Sequence, residues 1–150
     1  SQFFHLPIPL MKGVFLQLQG RGEEATAEFE KARAQLEGEL EELEGDDRLH
    51  SALGIAYAGL GRAEDAIREG DRGLSLMGPE TDVNKSTYRM EDLAVIHAML
   101  GNGQEAIQVL EVLLDAPGDY SGSMLARDPR FVELRDLPGF QSLLDRHGSN

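Results

Sequence analysis

The sequence predicts an all-α fold, an αα-superhelix of about three helical hairpins closed by a C-terminal helical cap. Three observations predict this class. A glycine stands five residues before an alanine at three places, which are Gly20/Ala25, Gly61/Ala66 and Gly101/Ala106. Apolar residues around these pairs recur at spacings of three and four, the period of one helix face. After residues 116–117 this pattern ends, and a block with two Pro-x-Phe motifs follows.

The first hairpin, about residues 6–46, contains a long second helix. Its apolar residues step by three or four without a break, which predicts one continuous helix from about Glu23 to Glu44. The stripe consists of Ala25, Phe29, Ala32, Leu36, Leu40 and Leu43. Gly20 falls where the preceding helix must stop and reverse, and glycine accepts the left-handed conformation of such a helix end.

The second and third hairpins, about residues 47–80 and 81–117, follow the same plan. Gly54 and Ala66 are small, which lets the two helices of the second hairpin approach closely. The first helix of the third hairpin is expected to begin near Asp82, because the apolar spacing starts there. One such hairpin cannot bury its own apolar face, whereas three stacked hairpins can.

The cap, about residues 121–147, is predicted to hold two short helices. Asp128 precedes Pro129 and Asp136 precedes Pro138, so each aspartate is a candidate N-cap with a proline in the first turn. Apolar residues at helical spacing would cover the open end of the hairpin array, namely Phe131, Leu134, Phe140, Leu143 and Leu144. Hairpins and cap together predict a single domain over residues 1–150.

Composition excludes several classes of function. The chain has no cysteine, so disulfides, thiolate metal sites and thiol nucleophiles are ruled out. Its net charge of −13 would repel DNA or RNA, so we expect no nucleic-acid partner. No apolar run reaches the roughly 18 residues that span a bilayer, and we expect a cytoplasmic protein without a membrane partner.

No motif predicts catalysis, a cofactor or a metal. The Gly-x-Gly pairs at 20–22 and 101–103 lack the rest of a phosphate loop, and Ser121-Gly122-Ser123 is interpreted as a loop without a nucleophile elbow. The acidic run 37–47 lacks the order of a calcium loop. His50 and His97 fall at packing positions between helices. The sequence therefore predicts a non-enzymatic protein.

The motif Leu53-Gly54-x-x-Tyr57, with Ala66 further on and a closing proline at 79, resembles the tetratricopeptide repeat (TPR). His50 and Gly70 depart from that pattern, since both positions usually hold large residues. The ending D-P-x-F-x-x-L-R-x-x-P-x-F-x-x-L-L, residues 128–144, is similar to the C-terminal TPR segments of bacterial multidomain signalling proteins. In those proteins the segment follows a serine/threonine kinase, an adenylate cyclase or a DNA-binding activator. The resemblance implies regulatory docking on a protein or peptide segment, including a domain of the same full-length chain.

The resemblance also implies that the first helix of each hairpin lines a concave binding groove. Rotating by about 100° per residue away from Gly54 and Tyr57 gives the groove-facing positions of the second hairpin, and shifting by the repeat length gives the others. The predicted groove comprises Leu10, Val14, Gln17, Arg48, Ser51, Ile55, Ala58, Tyr88, Glu91, Val95 and Ala98. Pro7 occupies the remaining equivalent position. Because this strip is mostly apolar, we expect it to bind an amphipathic helix or an extended hydrophobic segment with basic flanks.

Two alternatives stay open. Leu10 and Val14 could instead cover the next element of a longer array. The N-terminal hairpin with Phe3-Phe4 could instead drive self-association into a homodimer.

Overall fold

The computed structural model describes residues 4–78 and 83–148, and over these ranges the chain is helical without any strand. The predicted all-α class is thereby confirmed for the described residues. The helices are α1 (Ile8–Leu18), α2 (Gly22–Glu42), α3 (Asp47–Gly59), α4 (Ala63–Ser75), α5 (Val83–Met99), α6 (Gly103–Asp115), α7 (Gly122–Arg127) and α8 (Pro138–His147), and a 3-10 helix (Pro129–Leu134) precedes α8.

Consecutive helices pack in pairs, α1 with α2, α3 with α4 and α5 with α6, and α3 also packs against α2 and α5. The same turn joins the helices of each pair. Gly20, Gly61 and Gly101 have φ angles of 75°, 74° and 77°, in the left-handed region. The residue after each glycine donates its N–H to a carbonyl five residues back, always at 2.9 Å. This bond is the mark of a Schellman helix end, which satisfies carbonyls that the helix leaves open.

Glycines also set how closely neighbouring helices approach. A Cβ atom on Gly54 would lie 2.7 Å from Ile96 Cδ1 and 3.0 Å from the carbonyl oxygen of Ala66, so α3 and α4 touch at backbone distance. A Cβ on Gly13 or Gly59 would lie 2.8 Å or 2.4 Å from opposite edges of the Phe29 ring. The fully buried Phe29 therefore fits between α1 and α3.

The core falls into two clusters. The first contains residues from each of the helices α1, α2, α3 and α4, together with Ile96 of α5. The second contains residues from α5, α6 and the C-terminal helices. Phe131 and Phe140 are completely buried in the second cluster. Because α5 contributes to both clusters, it connects the two halves of the core.

The long second helix has nearly its predicted extent, since α2 runs from Gly22 to Glu42 without a break. The predicted start of the third hairpin near Asp82 and the proline at 79 lie outside the described residues, as does Phe3. Asp46 caps α3 by accepting a hydrogen bond from the Arg48 N–H at 3.0 Å.

The predicted cap needs two corrections. It has three helical segments, because residues 121–123, interpreted as a loop, begin α7, where the Ser121 hydroxyl accepts a hydrogen bond from the Met124 N–H at 3.3 Å. Asp128 does cap the 3-10 helix, through the Arg130 N–H at 3.0 Å. Asp136 does not cap α8, whose N-cap is Leu137. Asp136 lies one residue too early to reach the orphan N–H groups of the first turn.

Candidate protein-binding groove

A cavity of about 340 Å³ opens between α1, α3, α5 and the start of the 3-10 helix. We call it the apolar groove. Most of its wall is hydrocarbon, and its charged side chains gather at one end. Its apolar lining comprises Phe4, Leu6, Leu10, Met11, Val14, Phe15, Leu18, Ile55, Val95 and Pro129, and its polar end comprises Asp92, Asp128 and Arg130.

Four of the residues predicted from the sequence meet in this cavity. Leu10 and Val14 reach it from α1, Ile55 from α3 and Val95 from α5. The first helices of all three pairs therefore do share one apolar surface. Ile55 is only 5% exposed and also belongs to the first core cluster, so it serves the fold as well as the groove.

Four other predicted residues do not line the cavity. Ser51 faces α4, where a Cβ on Gly73 would lie 2.6 Å from its Oγ. Residues three apart share a helix face, so Ser51 lies on the same side of α3 as Gly54. Ala58 is buried in the first core cluster and Ala98 in the second. Arg48 bridges to Asp46 at 2.7 Å.

The remaining three lie at the margins. Gln17 is exposed on α1. The Tyr88 ring packs edge-on against the Phe4 ring, with the two centroids 4.7 Å apart. Glu91 pairs with Arg130 beside the polar end of the groove. Four of the predicted positions therefore line the cavity, whereas Ser51 faces the second helix of its own pair.

Neither the polar end nor the buried Arg89 behind Asp92 is among the positions predicted from the sequence. Arg89, 2% exposed, lies between Asp47 and Asp92, with its guanidinium nitrogens 3.4 Å and 3.5 Å from their carboxylates. Its guanidinium carbon is also 6.0 Å from the centre of the Phe4 ring, within cation–π range. The signal was an Arg-x-x-Asp pair in the middle of a helix, next to the apolar residues Met90, Leu93 and Ala94.

Burial governs the ionisation of this cluster. It raises the pKa of the Asp92 carboxyl to about 7, and the nearby guanidinium of Arg89 only partly opposes that effect. Burial also works against the charge of Arg130, but its bonds to Asp128 and its pairing with Glu91 outweigh burial and raise its pKa. The polar end therefore holds one guanidinium, that of Arg130, whose ion pairs favour its charged form, and one carboxyl, that of Asp92, that titrates near neutral pH.

A stripe of exposed apolar side chains continues the groove along α1. Ile8, Met11, Phe15 and Leu18 are 69%, 56%, 63% and 44% exposed. Their spacing places them on one face of the helix, and all but Ile8 also line the cavity. Large apolar residues that cluster in this way mark interaction surfaces, unlike scattered single ones.

Both interhelical histidines lie away from the groove. His50 is buried, with Nδ1 2.7 Å from a Glu69 carboxylate oxygen and Nε2 2.8 Å from the Glu44 carbonyl oxygen. His97 is also buried, and burial lowers its pKa. Both serve packing between helices, as their positions in the sequence predict. In the described ranges no three His, Asp or Glu side chains converge as a metal site would require.

Comparisons with known proteins give no identification. No family model matches the chain, and no curated protein or solved structure is significantly similar to it. Among the described helices, none is long and apolar enough to cross a bilayer. The likeness to tetratricopeptide repeats therefore depends on the motifs quoted from the sequence.

Proposed function

We propose that this chain is a non-catalytic protein-interaction module, which binds an amphipathic helix or an extended apolar segment of a partner protein in the apolar groove. The observation that carries the proposal is the continuity of the groove with the exposed stripe of α1. Together they form one continuous hydrophobic surface that is exposed to solvent. Nothing in the fold requires that exposure.

The three helix pairs are proposed to form a TPR-type right-handed superhelix. Support comes from the three Schellman turns, which have the same φ and the same hydrogen bond, and from the first helices of all pairs meeting in one groove. A superhelix of paired helices presents its first helices on the concave side, which is where an extended ligand can be held.

The energetics favour a ligand with several apolar anchors. Fully burying one large apolar side chain yields about 1.5–3 kcal/mol, whereas association costs about 4–15 kcal/mol in lost freedom. The α1 stripe offers four such side chains and the cavity offers room for the partner's own. We therefore expect affinities in the micromolar range or tighter for a segment that covers both.

The wider role is proposed from the motifs. Similarity to C-terminal TPR segments favours regulatory docking in a bacterial cytoplasmic signalling protein, either on a separate protein or on a domain of the same full-length chain. The groove supports this role because its shape and lining suit a peptide segment, the usual ligand of such modules.

The test uses displayed peptides of about 18 residues, long enough for roughly 27 Å of helix. Peptides selected on the wild-type protein should be rich in Leu, Ile and Phe at helical spacing. Phe15→Asp should weaken their binding by about 10- to 100-fold, because a partner side chain can no longer bury that ring. Fluorescence anisotropy with labelled peptides gives the dissociation constants.

The control is Val112→Asp, since Val112 is 57% exposed on α6, outside the groove lining. This variant should bind like the wild type, and circular dichroism should show both variants folded. Equal weakening in both variants, or a selection without enriched peptides, would contradict the proposal.

Self-association is the second candidate, and the exposed α1 stripe favours it too. A second copy, however, brings another net charge of −13. Phe4 is unsuited to lead a dimer contact, because its ring already packs on Tyr88. Sedimentation velocity of the pure protein separates the two candidates: a dimer that Phe15→Asp dissociates supports self-association, and a monomer supports a different partner.

A further inference from the structure

We infer that the segment bound in the apolar groove presents one cationic side chain, a lysine or an arginine, to Asp92 beside its apolar anchors. The inference rests on the proposed function and specifies the chemistry of the partner.

Acidic side chains outnumber basic ones at and beside the polar end. Two arginines link four carboxylates there, those of Asp47 on α3, Glu91 and Asp92 on α5, and Asp128 before the 3-10 helix. Among the described residues, Arg89 and Arg130 form ion pairs with these acids, while Arg48, which also lies near Asp47, is paired with Asp46. Arg89 lies between Asp47 and Asp92, and Arg130 between Asp128 and Glu91. When all four acids are ionised, these described groups carry a net charge of −2, to which the Arg48–Asp46 pair adds nothing.

Asp92 is nearly buried, being 5% exposed, and it lines the cavity. A ligand that fills the groove therefore removes the remaining water from its carboxyl group. A purely apolar segment would leave this carboxylate without its solvent, at a cost that grows with burial. A cation at this place compensates the charge instead, and an anionic group would be repelled.

The α1 side of the cavity supplies no cation to Asp92, because the α1 residues that line it are all apolar. A lysine or arginine can lay its aliphatic stem along that wall while its charged head reaches the polar end. Apolar anchors and one basic residue thus fit the groove as a unit.

The inference also sets a pH dependence. Burial raises the pKa of Asp92 to about 7, so part of the free protein carries a neutral carboxyl at neutral pH. A bound cation favours the ionised carboxylate and releases that proton. The charged groups that face it are Asp47, Arg89, Glu91, Asp128 and Arg130. Burial raises the pKa of nearby Tyr120 further from neutrality. Affinity for a cationic peptide should therefore rise as pH increases through about 7.

The experiment uses matched synthetic peptides taken from the selected sequences. One carries lysine beside the apolar anchors, and the other carries norleucine at the same position. The lysine peptide should bind wild type at least about tenfold tighter at pH 8, and the difference should shrink towards pH 6. Asp92→Asn should remove both the preference and its pH dependence, while Glu111→Gln, an equal change of charge on exposed α6, should keep both.

The outcomes separate the two proposals. If both peptides bind wild type equally at all pH values, the inference about Asp92 is wrong and the groove still binds apolar segments. If Asp92→Asn loses the fold, the pH dependence of the wild-type protein alone decides. If no selected peptide binds, the proposed function fails, and the inference falls with it.

Discussion

Single glycines decide how tightly the paired helices pack. Gly54 lies against the backbone of α4, and its hydrogen takes the place where any Cβ would meet the Ala66 carbonyl oxygen at 3.0 Å. Gly38 in α2 has nothing within 4 Å of the same position. The two glycines therefore offer a matched comparison between a packed site and an open one.

Gly54→Leu should lower the free energy of unfolding by about 1–3 kcal/mol, because the added side chain overpacks the contact between α3 and α4. Gly38→Leu should be neutral or stabilising by up to about 0.8 kcal/mol, since leucine favours the helix over glycine. Urea unfolding followed by circular dichroism measures both. Equal midpoints for the two variants would contradict the close approach at Gly54.

At the residue scale, the sequence predicted those features that depend only on residue spacing within one helix. The left-handed glycines and the groove positions of Leu10 and Ile55 follow from local spacing. Ser51 was assigned to the wrong face of α3, because it lies three residues before Gly54 and therefore on the same side of the helix. The polar end was not predicted, because the ion pair between Arg89 and Asp47 joins two different helices. Residue spacing within one helix does not predict such a pair.

Among the elements, the C-terminal segments show how the second core cluster is closed. Phe131 and Phe140 are both fully buried there, one in the 3-10 helix and one in α8. Val132 is 43% exposed beside Phe131. Burial thus alternates sharply within a few residues.

Phe140→Ala should cost about 3–5 kcal/mol of stability, because it removes a fully buried ring and leaves a cavity. Val132→Ala, the control, should stay within about 0.5 kcal/mol of wild type, as exposed substitutions do. Thermal melts of the two variants provide the comparison. A Phe140→Ala protein that melts with the wild type would show that α8 does not close the core.

Elements with long apolar periods were predicted best. The apolar residues of α2 predicted both ends of that helix to within a few residues. Helix α7 was missed because it is only six residues long and begins in a Ser-Gly-Ser segment, where local composition suggests a loop. Asp136 was misjudged because a capping aspartate must directly precede the helix, and Leu137 holds that place.

The whole molecule carries a large negative charge, and most of its ion pairs do little to offset that. Many of them join exposed residues three or four apart on one helix, such as Arg21–Glu24, Lys31–Glu28 and Arg68–Asp65. Such exposed pairs contribute little to stability, because water and salt screen them. Repulsion among the surplus carboxylates acts over the whole surface, so it should dominate the response to salt.

Raising NaCl from about 0.02 M to about 0.5 M should therefore raise the melting temperature, because screening weakens that repulsion more than it weakens the pairs. A variant with Glu23, Glu41 and Glu42 replaced by Gln, which lowers the net negative charge by three, should respond less to salt. Differential scanning calorimetry measures both. A melting temperature that falls with salt would show that the ion pairs outweigh the repulsion.

The Phe29 ring acts as a spacer for the groove, although it belongs to neither wall. It fills the gap between Gly13 of α1 and Gly59 of α3, the two helices that carry Val14 and Ile55 into the cavity. The separation of those walls is therefore fixed by the width of one phenyl group. The width of the groove can therefore be altered by a substitution at Phe29, a fully buried residue that no ligand in the groove would contact.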